Sequence, residues 1–435
     1  MSILGTRVAR TEDPSSPGGA TYTDDLTDER LTGALHLTLV RSPVAHATIA
    51  SIDVSAAKAA PGVIAVYTGA DCDIAPALLF AGANEKLVHP FLASNRVRYV
   101  GEAVAAVLTE ETYQGEDAAD LVDVEYEPLD AVVDVTAALK DEVILLPEAG
   151  TNSVTAMHLA GDRGDDFFAD CDVVVTKEIV NQRVTAAPLE TRAASACWSD
   201  DGRCTIFCST QNAQAAQDEI AGWLGMDAKD LRLILPDVGG GFGAKIGADP
   251  EFALVAWLSK KVGHPVRWNE SRSENMTGMV HSRGRLQTIT IGGDRDGTVK
   301  AYRLDILADA GAYPRIGVVL PMFTRMMAPG TYDIPKVHSS AQVVVGEAPL
   351  RATATEAPLA EGRSLEEAAA LAAEHTKPPT DNAGSSEYRR HLARVLTRRA
   401  LQTAGRPHSS TTRLTPTLTR ARWSANVKEA TKESA

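Results

Sequence analysis

The sequence predicts an α+β fold, on three observations. Strand-length apolar runs, among them LHLTLV (35–40), VVVTKEIV (173–180) and LQTITI (286–291), alternate with short helical stretches through the first 345 residues. An apolar run at 231–235 ends in Pro236-Asp237 and leads into Gly239, Gly240, Gly241, Phe242 and Gly243. Helix signals follow it: Asp249 as N-cap, Pro250 at the first helical position and Gly263 as the stop. The chain has 435 residues, 44% hydrophobic and 23% charged, enough for more than one buried core.

The net charge of −14 argues against a nucleic-acid partner, but it is unevenly spread. Residues 351–435 carry 14 Lys and Arg against 9 Asp and Glu, net +5, which leaves the first 350 residues at −19. That reversal marks a change of origin or environment near residue 350. No run of 18 apolar residues exists, so no transmembrane segment is expected. The N-terminus lacks a secretory apolar core, and the expected compartment is the cytoplasm. Cys72, Cys171, Cys197, Cys204 and Cys208 form no CxxC pair and read as reduced structural thiols. His264, His281 and His338 are isolated, and no metal-ligating set is expected.

In chain order, residues 1–20 are polar and read as a leader. Residues 35–43 form a strand, and 47–69 read as strand, Ala-rich helix, Pro61-Gly62 turn and strand. Residues 97–110 give a pair of strands around Gly101, with Gly101-Glu102 as a bulge carrying a solvated acid. A helix and a strand fill 113–134. Residues 136–170, with Asp162, Asp165 and Asp166, have weak pattern and read as a linker. Beyond an alternating strand at 173–184, Glu190 reads as a salt-bridged structural acid. The strand 204–209 runs into a helix over 212–224 with Ala216, Ile220, Trp223 and Leu224 on its apolar stripe. Gln211 therefore stands at a strand-to-helix junction, as the glycine turn does, and ligands commonly bind at that edge of a sheet. The turn alone has two readings, a structural bend or backbone amides offered to a ligand's oxygens. Its spacing fits neither a phosphate loop nor GxGxxG. Arg267, Glu270, Arg272 and Glu274 read as an ion-paired network, 286–308 as a hairpin turned at 293–297, and Tyr313 as packed on the sheet. In the basic tail Ser364 opens a capping box for a helix over 365–375. Ser386 caps an amphipathic helix with Tyr388, Leu392, Val395 and Leu396 on one face.

Residues 209–212 (STQN) and 239–245 (GGGFGAK) resemble the molybdopterin-binding subunit of the xanthine dehydrogenase, aldehyde oxidase and carbon monoxide dehydrogenase family. The strings 41–53, 61–71 and 99–110 resemble its a/b hammerhead domain, and 188–190 (PLE), 309–313 (DAGAY) and 332–335 (YDIP) resemble later family segments. The resemblance implies catalytic roles for Gln211 and Phe242. It implies cofactor binding by Gln211, Gly240, Gly241, Phe242 and Gly243, with no side chain of the protein on the metal. A neutral amide suits that role, because it donates to an oxygen on a metal without competing as a ligand. The implied cofactor is molybdenum-molybdopterin in its cytosine dinucleotide form. FAD and iron–sulfur clusters would lie on partner subunits, and the substrate would be a small molecule.

Residues 346–401 resemble a different chain, the C-terminal domain of the family's FAD-binding subunit, through 349–357 (PLRATATEA), 364–370 (SLEEAAA) and 386–401 (SEYRRHLARVLTRRAL). The expected plan is a leader (1–20), an a/b hammerhead domain (21–135), a linker (136–170) and the first part of a molybdopterin-binding domain (171–345). A flavoprotein-like segment (346–402) and a disordered tail (403–435) complete it. The fold expectation becomes a hammerhead domain, an incomplete molybdopterin-binding α/β domain and a short helical tail. Apolar side chains at Pro321, Met322, Phe323, Met326 and Met327 are expected at the surface. The implied activity is oxidative hydroxylation of an aldehyde, carbon monoxide or an N-heterocycle. Ile246 stands where purine-oxidising relatives often carry glutamate, which leans towards the aldehyde or carbon monoxide branch. The alternative is a truncated or fused remnant that binds partner subunits without turnover, since the family's general-base region is unmatched.

Overall fold

The computed structural model describes residues 20–158, 164, 166–346, 358–359, 361–374 and 385–404. The first part forms β1 (Leu35–Arg41), β2 (Ala47–Asp53), α1 (Ser55–Lys58), β3 (Val63–Thr68), β4 (Arg96–Val97), β5 (Ala103–Thr109), α2 (Thr112–Ala119), β6 (Asp123–Pro128) and α3 (Val135–Ala138). The middle begins with β7 (Ser153–His158), β8 (Val173–Asn181), β9 (Val184–Thr185), β10 (Ala193–Trp198), β11 (Cys204–Cys208), α4 (Ala213–Trp223) and β12 (Leu231–Ile234). It continues through α5 (Pro250–Val262), β13 (Val266–Asn269), α6 (Arg272–Gly278), β14 (His281–Ser282), β15 (Arg285–Gly293), β16 (Val299–Asp309), α7 (Leu320–Met326) and β17 (Lys336–Val344). The tail carries α8 (Leu365–Ala370) and α9 (Ser386–Ala404).

Seven strands in the order β12-β11-β10-β13-β1-β5-β3 make the largest sheet, and five in the order β7-β17-β16-β15-β8 make the second. Strand β1 joins the two sequence segments. It pairs antiparallel with β5 (Leu37↔Leu108) and parallel with β13 (Leu35↔Val266). Three of the first segment's strands, β1, β3 and β5, thus share one sheet and one core with the later strands, in which Leu37 and Leu108 meet Ile206, Ile220, Phe252 and Trp268, while β2, β4 and β6 form a three-stranded sheet of their own. Helix α5 is apolar almost all round and is buried from Pro250 to Ser259, so it lies inside the molecule against β10 and β13. Burying each of its large apolar side chains contributes about 1.5–3 kcal/mol. Among the described residues no helix is long and apolar enough to cross a membrane.

The local signals hold at both junctions. Asn212 caps α4 through Ala215, Pro250 opens α5, and Gly225 (φ 64°) and Gly263 (φ 69°) stop the two helices in the left-handed region. Other expectations need correction. Residues 136–170 are not patternless, because β7 forms an edge of the five-stranded sheet against β17 (Met157↔Ala341). The strands flanking Gly101 lie in different sheets, β4 beside β2 and β5 between β1 and β3. Glu102 is buried, not solvated. Asp249 makes no side-chain cap, since arginines occupy its carboxylate. Helix α8 ends at Ala370, and Ser385 rather than Ser386 caps α9, accepting from the Tyr388 amide at 3.0 Å. Phe323, Met326 and Met327 are exposed as expected, but Pro321 is buried and Met322 half-buried. The alternation of β8 matches no burial pattern, as its residues 173–180 are exposed on both faces. The expected leader up to residue 19, Asp162, Asp165, the 349–357 string and the tail beyond 404 lie outside the described residues.

Phe252 sits at the centre of the shared core with no exposed surface. Phe252→Ala is expected to cost about 3–5 kcal/mol, read as a lowered urea midpoint at unchanged slope.

Candidate functional site

The two strand-to-helix junctions meet. Thr210 Oγ1 donates to the carbonyls of Lys245 (3.0 Å) and Gly247 (2.7 Å), and the Gln211 amide donates to the Lys245 carbonyl at 2.8 Å. Gln211 Oε1 accepts from the backbone amides of Gly243 (2.9 Å) and Lys245 (3.2 Å). Two donors on one side-chain atom fix that atom as the oxygen, so the Nε2 group faces away from the turn as a donor. Gly241 is required for this approach: a Cβ there would lie 2.5 Å from Gln211 Oε1 and 2.6 Å from its Cδ. At Gly243, φ is 87° and nothing lies within 4 Å of a Cβ, so its outer side is open. Gly240, also at positive φ, lies against the Phe242 ring.

Glu190 anchors the other end of the turn. It accepts from the Gly239 amide at 2.9 Å and pairs with the buried Lys245 Nζ at 2.8 Å, as its structural reading anticipated, while its Oε1 is buried without a hydrogen-bond partner. Phe242 projects from this braced turn at φ 53° with 76% of its surface exposed. A bulky residue at positive φ with little burial to compensate is strained, by about 1–3 kcal/mol. Leu189 is 95% exposed on the neighbouring segment, where Ala187 also holds positive φ.

Beneath the turn, the N-terminus of α5 gathers buried charge. Arg192 pairs with Asp249 (3.2 Å), Glu251 (3.0 Å) and Glu270, Arg41 with Glu251 (3.2 Å) and Glu274 (2.9 Å), and Arg315 with Asp249 (2.6 Å). The expected network therefore exists with other partners, for Arg267 and Arg272 bind backbone carbonyls instead. Burial pushes the Glu251 carboxyl up, and the Arg192 and Arg41 guanidiniums overcome it and hold it well below the usual range. Four carboxylates against three guanidiniums leave one negative charge, which suits a helix N-terminus.

A cavity of about 600 Å³ lies against this floor. Phe242, Gly243 and Ile246 line one part, Arg283, Arg285 and Tyr313 others. Tyr313 does more than pack: its hydroxyl donates to Glu102 Oε1 at 2.6 Å, and Arg98 Nη1 donates to that hydroxyl at 3.2 Å. Burial pushes the Glu102 carboxyl up, although Arg98 and Tyr313 draw it down. The His89 ring lies 4.3 Å from that of Tyr313, and burial holds His89 down at about 3, so it is neutral. Sequence reasoning missed Arg41, Arg192, Arg315, Arg283 and Arg285. The signal for Arg41 and Arg192 was an arginine beside an apolar strand, which demands a buried acid; Arg283 and Arg285 gave none. Among the described residues no group of three or more His, Cys, Asp or Glu is placed to hold a metal ion, and all five cysteines are free.

A sheet edge that presents backbone amides, one oriented carboxamide and an adjoining cavity is an arrangement at which α/β proteins commonly hold a ligand. Residues 17–130 match the family "Aldehyde oxidase and xanthine dehydrogenase, a/b hammerhead domain" and 146–354 the "Molybdopterin cofactor-binding domain". Residues 339–404 match the "CO dehydrogenase flavoprotein C-terminal domain", overlapping the previous match through most of β17. The chain is similar to the nicotine 6-hydroxylase large subunit of Paenarthrobacter nicotinovorans, 36% identical over 345 residues, 77% of this chain and 42% of that one. It is 30% identical to the nicotinate dehydrogenase large molybdopterin subunit of Eubacterium barkeri over 320 residues, 73% of each chain. Its fold is similar to the crystal structure of quinoline 2-oxidoreductase from Pseudomonas putida 86, with a TM-score of 0.74 at 32% identity, covering 88% of this chain and 52% of that one. The chain belongs to the xanthine dehydrogenase, aldehyde oxidase and carbon monoxide dehydrogenase family of molybdopterin-binding large subunits. It spans under half the length of the nicotine 6-hydroxylase subunit.

Two outcomes follow for stability. Phe242→Gly removes the strain and almost no buried surface, so the thermal midpoint should hold or rise by the equivalent of up to about 1 kcal/mol. Glu251→Gln leaves Arg41 and Arg192 short of a partner and should cost about 3–5 kcal/mol at neutral pH. The folded Glu251 carboxyl is depressed from 4.5 to about 2, so its contribution is complete above pH 4.5 and is lost as pH falls towards 2. Chemical denaturation of both proteins should show their difference shrinking across that window.

Proposed function

We propose that the chain builds the first half of a molybdenum hydroxylase site, with Gln211 as the hydrogen-bond donor to the oxygen atoms of a molybdenum-molybdopterin cofactor. One observation carries this reading: the Gly243 and Lys245 amides hold Gln211 oxygen-inward, which turns its Nε2 donor outward beside the glycine turn. The residues fit such a group. Gly241 admits the carboxamide, Gly243 is open on its outer side, and among the described residues no group of three or more His, Cys, Asp or Glu is placed to compete for the metal. Gly240, Gly241 and Gly243 would lie against the pterin, and Phe242 would shield the reacting face from water. When bound, the cofactor supplies a two-electron oxidation that places a water-derived oxygen on carbon.

The substrate class proposed is an aromatic N-heterocycle, supported by relatives named for nicotine, nicotinate and quinoline, while relatives named as carbon monoxide dehydrogenase large chains support carbon monoxide. The Ile246 position, on the cavity wall, remains compatible with an apolar ring. Aldehydes and carbon monoxide are the other members of the class. The cofactor form proposed is the cytosine dinucleotide. FAD-binding and iron–sulfur subunits are the proposed partners, supported by relatives named as large or complex subunits and by the flavoprotein match. Five free cysteines, two of them partly exposed, support a reducing compartment such as the cytoplasm.

A second reading, a partner-binding chain without turnover, is favoured by the change of family match inside β17 and by the exposed apolar residues of β8 and α7. Elemental mass spectrometry separates the two: about one molybdenum per chain supports the first, and none supports the second. With metal bound and partners present, Gln211→Ala should lower turnover by about 10²–10³-fold at unchanged molybdenum content. Unchanged turnover would remove Gln211 from the site.

A further inference from the structure

Among the described residues only four non-glycine residues hold positive φ: Asp141, Ala187, Phe242 and Arg283. Two of them, Phe242 and Arg283, line the same cavity. Arg283 stands at φ 73° just ahead of Gly284 at 66°, so two consecutive residues adopt the left-handed conformation. Nothing in an arginine favours that backbone, and the strain persists because the flanking strands impose it. On one side β14 pairs with β9, and on the other β15 pairs with both β16 and β8. The result is a guanidinium directed at the cavity from a fixed point.

Arg285, two residues on, lines the cavity beside it. Its Nη1 donates to Thr324 Oγ1 at 2.7 Å, and it has no carboxylate partner among the described residues. Arg283 likewise has none. The contrast with the rest of the cavity is sharp. Arg41, Arg192 and Arg315 are matched by acids in the floor, and Arg183 is paired with Asp309. Half-buried Arg285 has its proton affinity lowered by desolvation and by the charge of Arg283. Exposed Arg283 and half-buried Arg285 share this wall with the Arg183–Asp309 pair, so three guanidiniums face one carboxylate there, an excess of positive charge that an anionic ligand would balance. The remainder of the lining is largely apolar, with Phe91, Met279, Val318 and Phe323 among it.

We propose that Arg283 and Arg285 form the anion subsite of this cavity, and that it takes an aromatic carboxylate, with the carboxylate on the two guanidiniums and the ring in the apolar part. Planar guanidiniums match carboxylate oxygens in bidentate geometry, and a cavity of this size suits a one- or two-ring compound. As a substrate subsite this rests on the molybdenum-site reading above; as a binding site it does not.

Calorimetric titration of the full chain, which needs no metal, tests the binding. Benzoate should bind about tenfold more tightly than neutral benzamide, and the preference should shrink with added salt. Arg285→Met should abolish the preference. Arg283→Gly should abolish it too while leaving the thermal midpoint equal or higher, because glycine relieves the strained backbone. Equal affinity for benzoate and benzamide, or a preference that survives both substitutions, overturns the proposal. Tighter binding of inorganic pyrophosphate than of benzoate, lost in the same variants, overturns the aromatic carboxylate in favour of a phosphate site. If benzoate binds as expected to a chain that never loads molybdenum, the subsite stands and the hydroxylase reading fails.

Discussion

Two buried arginines and one half-buried arginine, set against four carboxylates around the start of α5, are the constraint on which the molecule's architecture turns. Arg41 comes from the end of β1, Arg192 from the approach to β10, and Arg315 from the loop after β16. Their acids come from the first turn of α5 and from the segment that opens α6. None of these charges tolerates burial alone, so all five regions must arrive together. The array sits under the cavity and beside the glycine turn, where it leaves little freedom for the backbone that carries Gln211 and Phe242. A rigid floor of this kind is what allows a turn to hold strained residues above it.

Legibility in the sequence followed the range of the forces involved. Both junctions could be read because their signals are local: Asn212 caps its own helix, Pro250 has no amide to waste, and Gly263 accepts a left-handed stop. The run GGGFGAK was legible for the same reason. Glu102 was misread because the Tyr313 hydroxyl that covers one of its oxygens lies 211 residues away, and the nearby Arg98, whose amide donates to the other, does not by itself announce burial. The strand β7 was missed because SVTAMH has a weak pattern of its own and acquires its identity only from β17. Merging of the hammerhead strands with the later sheet was equally invisible, since β1 looks the same whichever strand lies at its free edge. The overlap of two family matches within β17 shows how little a strand's pattern reveals about its origin.

Strain and exposure coincide in this molecule. Phe242 and Arg283 are held in a conformation that their side chains disfavour, and both look into the same space. Folding alone would favour glycine at each position. The surrounding sheets keep them there, and the two side chains differ in kind, one an apolar ring and the other a permanent cation. The cavity lining thereby carries both an apolar and a cationic group before any ligand enters it.

The pairing of β1 with β13 has a consequence for how the chain is made. Leu35 lies beside Val266 in the finished sheet, so that edge of β1 stays open until 231 further residues have left the ribosome. At roughly 5–20 residues per second that is an interval of roughly 12–46 seconds. Throughout it, an apolar strand with unpaired backbone groups faces water or a chaperone, the condition under which edge strands recruit neighbours. Vectorial synthesis thus makes the N-terminal third dependent on the middle of the chain, and any pause before β13 prolongs its exposure.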